Sequence, residues 1–132
     1  MTDADLLQLA RQAAGHAHAP YSRFRVGAAL LSGDGTVVTG ANVENISFGL
    51  TMCAERSAFF TAMSRGLRDF RVMAVVADGD APPYPCGACR QVAEELAPAI
   101  RFVLSGMGPR ASEPLSFALE ELLPHPFRFR AP

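Results

Sequence analysis

The sequence predicts an α/β protein in which a sheet lies between two layers of helices. An amphipathic helical pattern opens the chain, two strand-like segments joined by a glycine-rich turn follow, and helical and strand-like segments then alternate. This alternation favours right-handed crossovers and mostly parallel pairing of the later strands, and therefore a three-layer α/β/α sandwich. No linker, repeat or low-complexity tract divides the chain, so residues 1–132 are expected to form one domain.

The first helix is predicted over residues 3–15. Thr2 or Asp3 can cap its start, and Gly15 can end it. Leucines and alanines recur on one face of this segment, which indicates a helix packed against a core.

A hairpin is predicted after this helix, with strands over residues 24–31 and 36–40. Gly27 interrupts the first of these strands. A glycine inside a strand indicates that another part of the molecule approaches its backbone closely.

The second half of the chain is predicted to alternate helices and strands. Thr51 is the expected N-cap of the next helix. The valine-rich strand after that helix is expected at the centre of the sheet. The elements follow in the order helix, strand, helix, strand and helix, over residues 51–65, 71–77, 86–97, 101–104 and 114–123. The second of these helices is predicted to begin at Cys86 or Gly87.

Composition excludes several classes of protein. The formal net charge is -1, and without a basic excess a nucleic-acid polymer is not an expected partner, because such binding neutralises phosphates. All basic residues other than histidine are arginine, which excludes Schiff-base catalysis by a lysine. No apolar run approaches the ~20 residues that span a bilayer. The acidic N-terminus does not resemble a secretory signal, so a cytoplasmic location is expected.

The three cysteines carry the main functional information. An odd number suits thiolate–metal chemistry better than a disulfide framework. Cys86 and Cys89 lie one helical turn apart, and Cys53 precedes Glu55 by two residues at a predicted helix start. Three thiolates on one Zn²⁺ leave the fourth position open to water, as in catalytic zinc sites. Glu55 then stands where a proton carrier is needed.

A zinc ion with three thiolates carries excess negative charge, which weakens it as a Lewis acid. Two helix N-termini would offset this, each equivalent to roughly half a positive charge. Arg56 and Arg90 directly follow motif residues and are expected to donate hydrogen bonds to the sulfurs.

Three other interpretations of the cysteines remain open. A structural zinc site would need a fourth ligand, for which His16, His18 and His125 are available. A thioredoxin-like redox pair would use Cys86 and Cys89. The third interpretation is that the cysteines are inert core residues.

The polar loop over residues 42–49 is the second candidate for function. Asn42 and Glu44 would hold the hydroxyl groups of a polyol, because a carboxylate accepts hydrogen bonds and an amide both donates and accepts them. The alternative is a solvated connection between two elements.

These residues resemble the cytidine deaminase family, in its small form with three cysteine ligands. The motifs over residues 53–56 and 85–91 indicate only some zinc deaminase. The segments over residues 20–28, 42–45 and 122–127 are also similar to the family, so the resemblance covers most of the chain in matching order. These outer motifs favour an enzyme that acts on nucleosides.

The resemblance implies hydrolytic deamination of cytidine and 2′-deoxycytidine, in pyrimidine salvage, with one Zn²⁺ per subunit. A zinc-bound hydroxide would attack C4 of the base, and Glu55 would shuttle protons. Arg56 and Gln91 would lie directly behind the metal ligands. Those ligands would be Cys53, Cys86 and Cys89.

The resemblance further implies a mixed five-stranded sheet and a homotetramer with active sites at the subunit interfaces. Asn42 and Glu44 would hold the sugar hydroxyls, Phe24 would pack against the base, and the backbone of Ala54 would contact the base edge. Phe127 of a neighbouring subunit would close the pocket.

Tyr84 and Phe48 depart from the family pattern, which has serine and tyrosine in many relatives at these positions. Because of these two departures, the contacts at the rim of the pocket and between subunits cannot be assigned from the family pattern. Alternative functions are a deaminase of a bulkier aminonucleoside such as blasticidin S, and a nucleotide or polynucleotide deaminase that binds phosphate through Arg23 and Arg25. A zinc-stabilised binding module without activity is a further alternative.

Overall fold

The computed structural model describes residues 1–129, which form a five-stranded sheet with helices on both faces. The strands are β1 (Val26–Ser32), β2 (Val37–Ala41), β3 (Phe70–Ala77), β4 (Arg101–Gly106) and β5 (Leu115–Ala118). The helices are α1 (Asp3–Ala14), α2 (Ala54–Ser64), α3 (Gly87–Leu96) and α4 (Leu119–Leu122), with a 3₁₀ turn at Phe48–Leu50. The predicted α/β class with a mixed five-stranded sheet is confirmed.

The strand order is β2-β1-β3-β4-β5, so the valine-rich strand β3 is central, as predicted. β1 is antiparallel to both β2 and β3, β3 is parallel to β4, and β4 is antiparallel to β5. β2, β3 and β4 therefore run in one direction, and the connections through α2 and α3 cross between parallel strands. Among the strands of residues 1–129, direct parallel pairing is limited to β3 and β4.

Two apolar cores make the three layers. α1 covers one face of the sheet, where Leu6 and Ala10 pack against Val76 and its neighbours. α2, α3 and α4 cover the other face, where Phe59 packs with Phe102 and the rest of a larger cluster. Within residues 1–129, none of the helices combines the length and apolar character required to cross a membrane.

Two glycines bring helices into direct contact with strands. A Cβ atom at Gly27 would lie 2.0 Å from the carbonyl oxygen of Ala10, which confirms the close approach predicted there and identifies α1 as its source. A Cβ atom at Gly40 would lie 2.5 Å from the carbonyl oxygen of Ala54 and 2.6 Å from the nitrogen of Ala58. The first turn of α2 therefore rests directly on β2.

Two boundary predictions are wrong. α2 begins at Ala54 with Cys53 as its N-cap, so Thr51 is not the cap. The helix predicted over 114–123 begins instead as strand β5, because these residues pair with β4 at the edge of the sheet, and only Leu119–Leu122 is helical. At α1, Thr2 is the cap, and its hydroxyl accepts a hydrogen bond from the nitrogen of Asp5 at 3.1 Å.

Candidate metal centre

The three thiols meet where α2 and α3 begin. Cys53 is the N-cap of α2, Cys86 is the N-cap of α3, and Cys89 lies in the first turn of α3. The Sγ atoms of Cys53 and Cys86 are 3.7 Å apart, those of Cys86 and Cys89 are 3.5 Å apart, and all three lie within 4.8 Å of one another. Zinc–sulfur bonds of about 2.3 Å in a tetrahedron place sulfurs about 3.8 Å apart. The cluster therefore fits one Zn²⁺.

Both helix N-termini support negative charge at this cluster. Neither Cys53 nor Cys86 makes the side-chain hydrogen bond that a serine or aspartate cap would make, so both thiols are free for other partners. The first N–H groups of each helix lack partners within the helix, and the positive ends of two helix dipoles meet at the thiols. Helix placement thus favours thiolates here.

Arg56 adds a full positive charge to the cluster. Its Nη2 donates to the Sγ of Cys53 at 3.3 Å, as expected from the sequence. A hydrogen bond from Cys89, together with those from Arg56 and Cys86, lowers the pKa of Cys53 to about 5. Hydrogen bonding to Cys53 and burial raise the pKa of Cys89. The thiol of Cys53 therefore ionises readily, whereas the thiol of Cys89 retains its proton.

Arg90 does not contact the sulfurs as expected. Its Nε donates to the carbonyl oxygen of Pro85 at 2.7 Å, and its Nη1 donates to the carbonyl oxygen of Leu122 at 2.5 Å. The guanidinium group thus donates to backbone carbonyls, and the expectation that it donates hydrogen bonds to the sulfurs is wrong.

Glu55 is a buried carboxyl group beside the thiols. It lies in the first turn of α2, next to the N-cap Cys53, and only 5% of it is exposed. Burial raises the pKa of Glu55 to about 7, and the nearby Cys53 contributes in the same direction. A carboxyl group with such a pKa can take up and release protons near neutral pH, as a general acid–base requires.

A cavity of about 360 Å³ opens onto Glu55 and the cysteines Cys53 and Cys86. Its size suits a small ligand. Its lining includes Phe24, Val26, Asn42, Thr51, Met52, Cys53, Ala54, Glu55, Pro83, Tyr84 and Cys86. Phe24, Asn42, Ala54 and Glu55, which were predicted from the sequence as site residues, are thus brought together.

The side chain of Asn42 forms hydrogen bonds with the backbone of two residues that line this cavity. Its Oδ1 accepts from the nitrogen of Val26 at 2.9 Å, and its Nδ2 donates to the carbonyl oxygen of Phe24 at 2.8 Å. The side chain is buried, with 8% of the residue exposed. One N–H and one lone pair of the amide remain for a ligand.

Glu44 lines an adjacent cavity of about 420 Å³, together with Tyr21, Ser22, Phe48 and Thr51. Its Oε1 accepts from the nitrogens of Tyr21 and Ser22 at 3.0 and 3.1 Å, and its Oε2 accepts from the Ser22 hydroxyl. These hydrogen bonds, led by that of the Ser22 side chain, lower the pKa of Glu44. Thr51 lines both cavities and joins them.

Two predicted site residues lie elsewhere in the same chain. Phe127 is 74% exposed and lines a different cavity, which it shares with Gln91. The Nε2 of Gln91 donates to the carbonyl oxygen of Phe127 at 3.4 Å, and no described hydrogen bond joins it to a cysteine within residues 1–129. The role expected for Gln91 behind the metal ligands stays a prediction.

Several lining residues were not predicted from the sequence. Thr51 was assigned only as a helix cap, and Met52 and Pro83 were not considered. Met52 pairs with Val43 in an isolated antiparallel bridge, which joins the segment before α2 to the polar loop over residues 42–49. Adjacency to Cys53 was the only sequence signal for Met52, and adjacency alone does not give orientation.

No histidine joins the thiol cluster. Among residues 1–129, the only group of three or more potential ligands close enough to share a metal ion consists of the three cysteines. His16, His18 and His125 all fall within this range, so the structural zinc site with a histidine as fourth ligand is not supported.

The fold and the site together define a class of protein. An α/β sandwich that brings three thiols and a buried glutamate to the N-termini of two helices is the arrangement of zinc-dependent deaminases. Residues 1–105 match the family described as "Cytidine and deoxycytidylate deaminase zinc-binding region".

The chain is also similar to individual proteins that are named as cytidine deaminases. The chain is 52% identical over 122 residues to a cytidine deaminase of Halalkalibacterium halodurans, covering 92% of this chain and 91% of the relative. A solved cytidine deaminase from Burkholderia pseudomallei superposes with a TM-score of 0.90 at 45% identity, covering 96% of this chain and 100% of the other. A solved cytidine deaminase from Mycobacterium tuberculosis superposes with a TM-score of 0.82 at 40% identity, covering 98% of this chain and 99% of the other.

The chain belongs to the cytidine deaminase family. It is an enzyme of the hydrolase class, and its cofactor is Zn²⁺.

Proposed function

We propose that this enzyme hydrolyses cytidine and 2′-deoxycytidine to uridine and 2′-deoxyuridine, with release of ammonia. The observation that carries the proposal is the cluster of three thiols within 4.8 Å of one another, beside the buried carboxyl group of Glu55 and open to a small cavity. The relatives named as cytidine deaminases support the choice of substrate.

Cys53, Cys86 and Cys89 would hold the zinc ion. When bound there, zinc supplies Lewis-acid chemistry that lowers the pKa of water, so that hydroxide is available for attack on C4 of the pyrimidine at neutral pH. The helix N-termini and Arg56 favour the anionic form of Cys53, and metal binding would displace the protons that the other thiols retain.

Glu55 would move the protons of the reaction. Its carboxylate would accept a proton from the attacking water and deliver it to N3 of the ring. It would then take the remaining proton from the new C4 hydroxyl group and transfer it to the amino group, which leaves as ammonia. Hydrolysis thus exchanges the C4–N bond for a C4–O bond without an oxidant or reductant. The raised pKa of about 7 supports both proton uptake and release.

The cavity residues would position the nucleoside. Phe24 would pack against the base and the backbone of Ala54 would contact its edge, while Asn42 and Glu44 would hold the sugar hydroxyls. Asn42 lines the thiol cavity and Glu44 the adjoining one, so a base near the thiols would direct its sugar toward Thr51, which borders both.

The enzyme would act as a homotetramer of single-domain subunits, in the cytoplasm, in pyrimidine salvage. Phe127 is largely exposed and lines a cavity that shares no residue with the thiol cavity. If Phe127 closes an active site, as the family resemblance implies, that site belongs to a neighbouring subunit.

A phosphate group is a poor fit to this site. Arg25, one of two arginines considered for phosphate binding, donates through Nε and Nη2 to Asp78 at 3.0 and 2.9 Å. Only Arg23 remains of that pair, so we expect nucleosides to be preferred over nucleotides.

Ammonia release from cytidine, CMP and blasticidin S, measured with the zinc-loaded protein, tests the proposal. We expect cytidine to have the highest kcat/KM. A clear preference for CMP or blasticidin S would overturn the substrate assignment. Absence of ammonia from all three would favour a binding module.

A further inference from the structure

Arg90 links three parts of the chain around the metal centre. It lies on α3, one residue after Cys89. Its backbone nitrogen donates to the carbonyl oxygen of Cys86 at 3.0 Å, and its Nε donates to the carbonyl oxygen of Pro85 at 2.7 Å. One residue therefore holds the peptide groups on both sides of the Cys86 Cα atom.

The third contact ties this turn to the end of α4. Nη1 of Arg90 donates to the carbonyl oxygen of Leu122, the last residue of α4. Carbonyl groups at the end of a helix lack partners within it, and arginine side chains satisfy them. α4 has only four residues, so this contact is a substantial part of what fixes its end.

The surroundings of Cys86 explain why such a clamp is needed. Cys86 is exposed, and as an N-cap it makes no side-chain hydrogen bond to its own helix. Pro85 is almost fully buried and has no N–H to anchor the turn, so its carbonyl is the group available for anchoring. Arg90 takes up that carbonyl.

We propose that Arg90 is a positioning residue for the metal centre: by clamping Pro85 and Leu122 it fixes the Sγ of Cys86 at the distance from Cys53 and Cys89 that one zinc ion requires. Arg90 acts on the ligand through its backbone and does not touch the sulfur. This inference rests on the proposed zinc site, and it makes metal affinity depend on the packing of α4.

The experiment compares Arg90→Met and Arg90→Lys with a matched control, Arg68→Met. Arg68 also donates to two backbone carbonyls, those of Met63 and Leu67, but at the opposite end of α2 from the thiols. Zinc affinity is measured by competition with a chromophoric chelator, and ligand geometry by the visible bands of the Co²⁺-substituted protein.

We expect Arg90→Met to weaken zinc binding about tenfold or more, as loss of a group that orients a metal ligand does. The Co²⁺ bands should shift in this variant. Arg90→Lys, which offers one cationic nitrogen to the two carbonyls, should recover part of the affinity, and Arg68→Met should match the wild type in both measurements. A merely structural role would lower thermal stability in both Met variants and leave the Co²⁺ bands unchanged.

Equal zinc affinity and equal Co²⁺ bands in Arg90→Met and Arg68→Met would overturn the inference. That result would leave the proposed function intact, because the wild type would still bind zinc and release ammonia. Conversely, a wild type that binds zinc without deaminating cytidine would refute the function but not the role of Arg90.

Discussion

Arg56 is the residue on which the charge balance of the thiols depends most. It donates to the Sγ of Cys53 at 3.3 Å, and its Nε is buried without a hydrogen-bond partner within residues 1–129. A buried donor without a partner is costly. The guanidinium group is held there by its attraction to thiolate, and this attraction was predictable because Arg56 follows the Cys53 motif on the same helix turn.

Replacement of Arg56 by alanine should therefore weaken zinc binding about tenfold, because the thiolates lose their nearest cation. Zinc affinity by chelator competition is the measurement, and Arg65→Ala is the control, since Arg65 lies at the far end of α2. If zinc affinity and turnover were both unchanged in Arg56→Ala, the proposed role of this side chain would be wrong.

The carboxylate of Asp78 accepts hydrogen bonds from Arg25, the residue just before β1. This pair makes the stability of the fold depend on pH. Hydrogen bonds and charge from Arg25 keep the pKa of Asp78 below its usual value. A lowered pKa in the folded state stabilises the protein above the unfolded-state pKa, and this stabilisation disappears as the pH falls through the lowered value.

We expect Asp78→Asn to lower the free energy of unfolding by about 0.5–1 kcal/mol at pH 7, a small value because solvent screens the pair. The difference from the wild type should shrink below about pH 4. Urea unfolding at several pH values measures it. Asp69→Asn, which breaks a more exposed pair with Arg71, is the control with a smaller expected change. A difference independent of pH would contradict the assignment.

The sequence predicted which residues belong to this site better than it predicted the contacts that those residues make. The spacing of the cysteines and Glu55 indicated a shared metal site because helix geometry fixes short separations. Asn42 was predicted as a substrate ligand, whereas the structure shows that its amide also holds Phe24 and Val26. A contact between residues 16 or 18 apart depends on how the hairpin folds back, which no local pattern contains.

At the scale of elements, the position of α2 depends on Gly40. The absence of a side chain lets the first turn of α2, which carries Glu55, rest on β2. The sequence showed the glycine, but only the fold identifies the helix that packs on it.

Gly40→Ala should destabilise the protein by about 1–3 kcal/mol, the usual cost of overpacking, and should lower kcat by displacing Glu55. Urea unfolding and steady-state kinetics measure the two effects. Gly49→Ala is the control for stability, because a Cβ atom there would meet nothing within 4 Å. Wild-type stability and kcat in Gly40→Ala would contradict the packing described.

The error at β5 has a physical cause. Residues 114–123 combine apolar and acidic side chains at helical spacing, which favours a helix. The open edge of β4 offers backbone hydrogen bonds that recruit Leu115–Ala118 as a strand instead. Tertiary pairing thus overrides local preference in a segment of four residues.

At the scale of the whole molecule, the proposed tetramer predicts that subunits complete each other's sites. Phe127 is exposed in the isolated chain, and its backbone is held to α3 through Gln91. Arg128, the next residue, forms an ion pair with Glu94 at 2.9 Å. The segment that carries Phe127 is therefore anchored to its own subunit, which leaves the ring free to contact another.

Coexpression of Glu55→Gln and Phe127→Ala subunits tests this directly. Glu55→Gln homo-oligomers should be inactive, and Phe127→Ala homo-oligomers should show a raised KM. Mixed oligomers should regain sites with the wild-type KM, because a Phe127→Ala subunit supplies Glu55 and its neighbour supplies Phe127. A KM in the mixture equal to that of Phe127→Ala alone would show that the ring does not act between subunits.

The most direct test of the account as a whole compares ammonia release from cytidine by the wild type and by Glu55→Gln at matched zinc content. We expect equal zinc per subunit, because the three thiols are intact, and a fall in kcat of about 10²–10⁴-fold, because the proton carrier is lost. A Glu55→Gln enzyme that binds zinc and turns over at the wild-type rate would contradict the central claim that Glu55 moves the protons at a three-thiol zinc site.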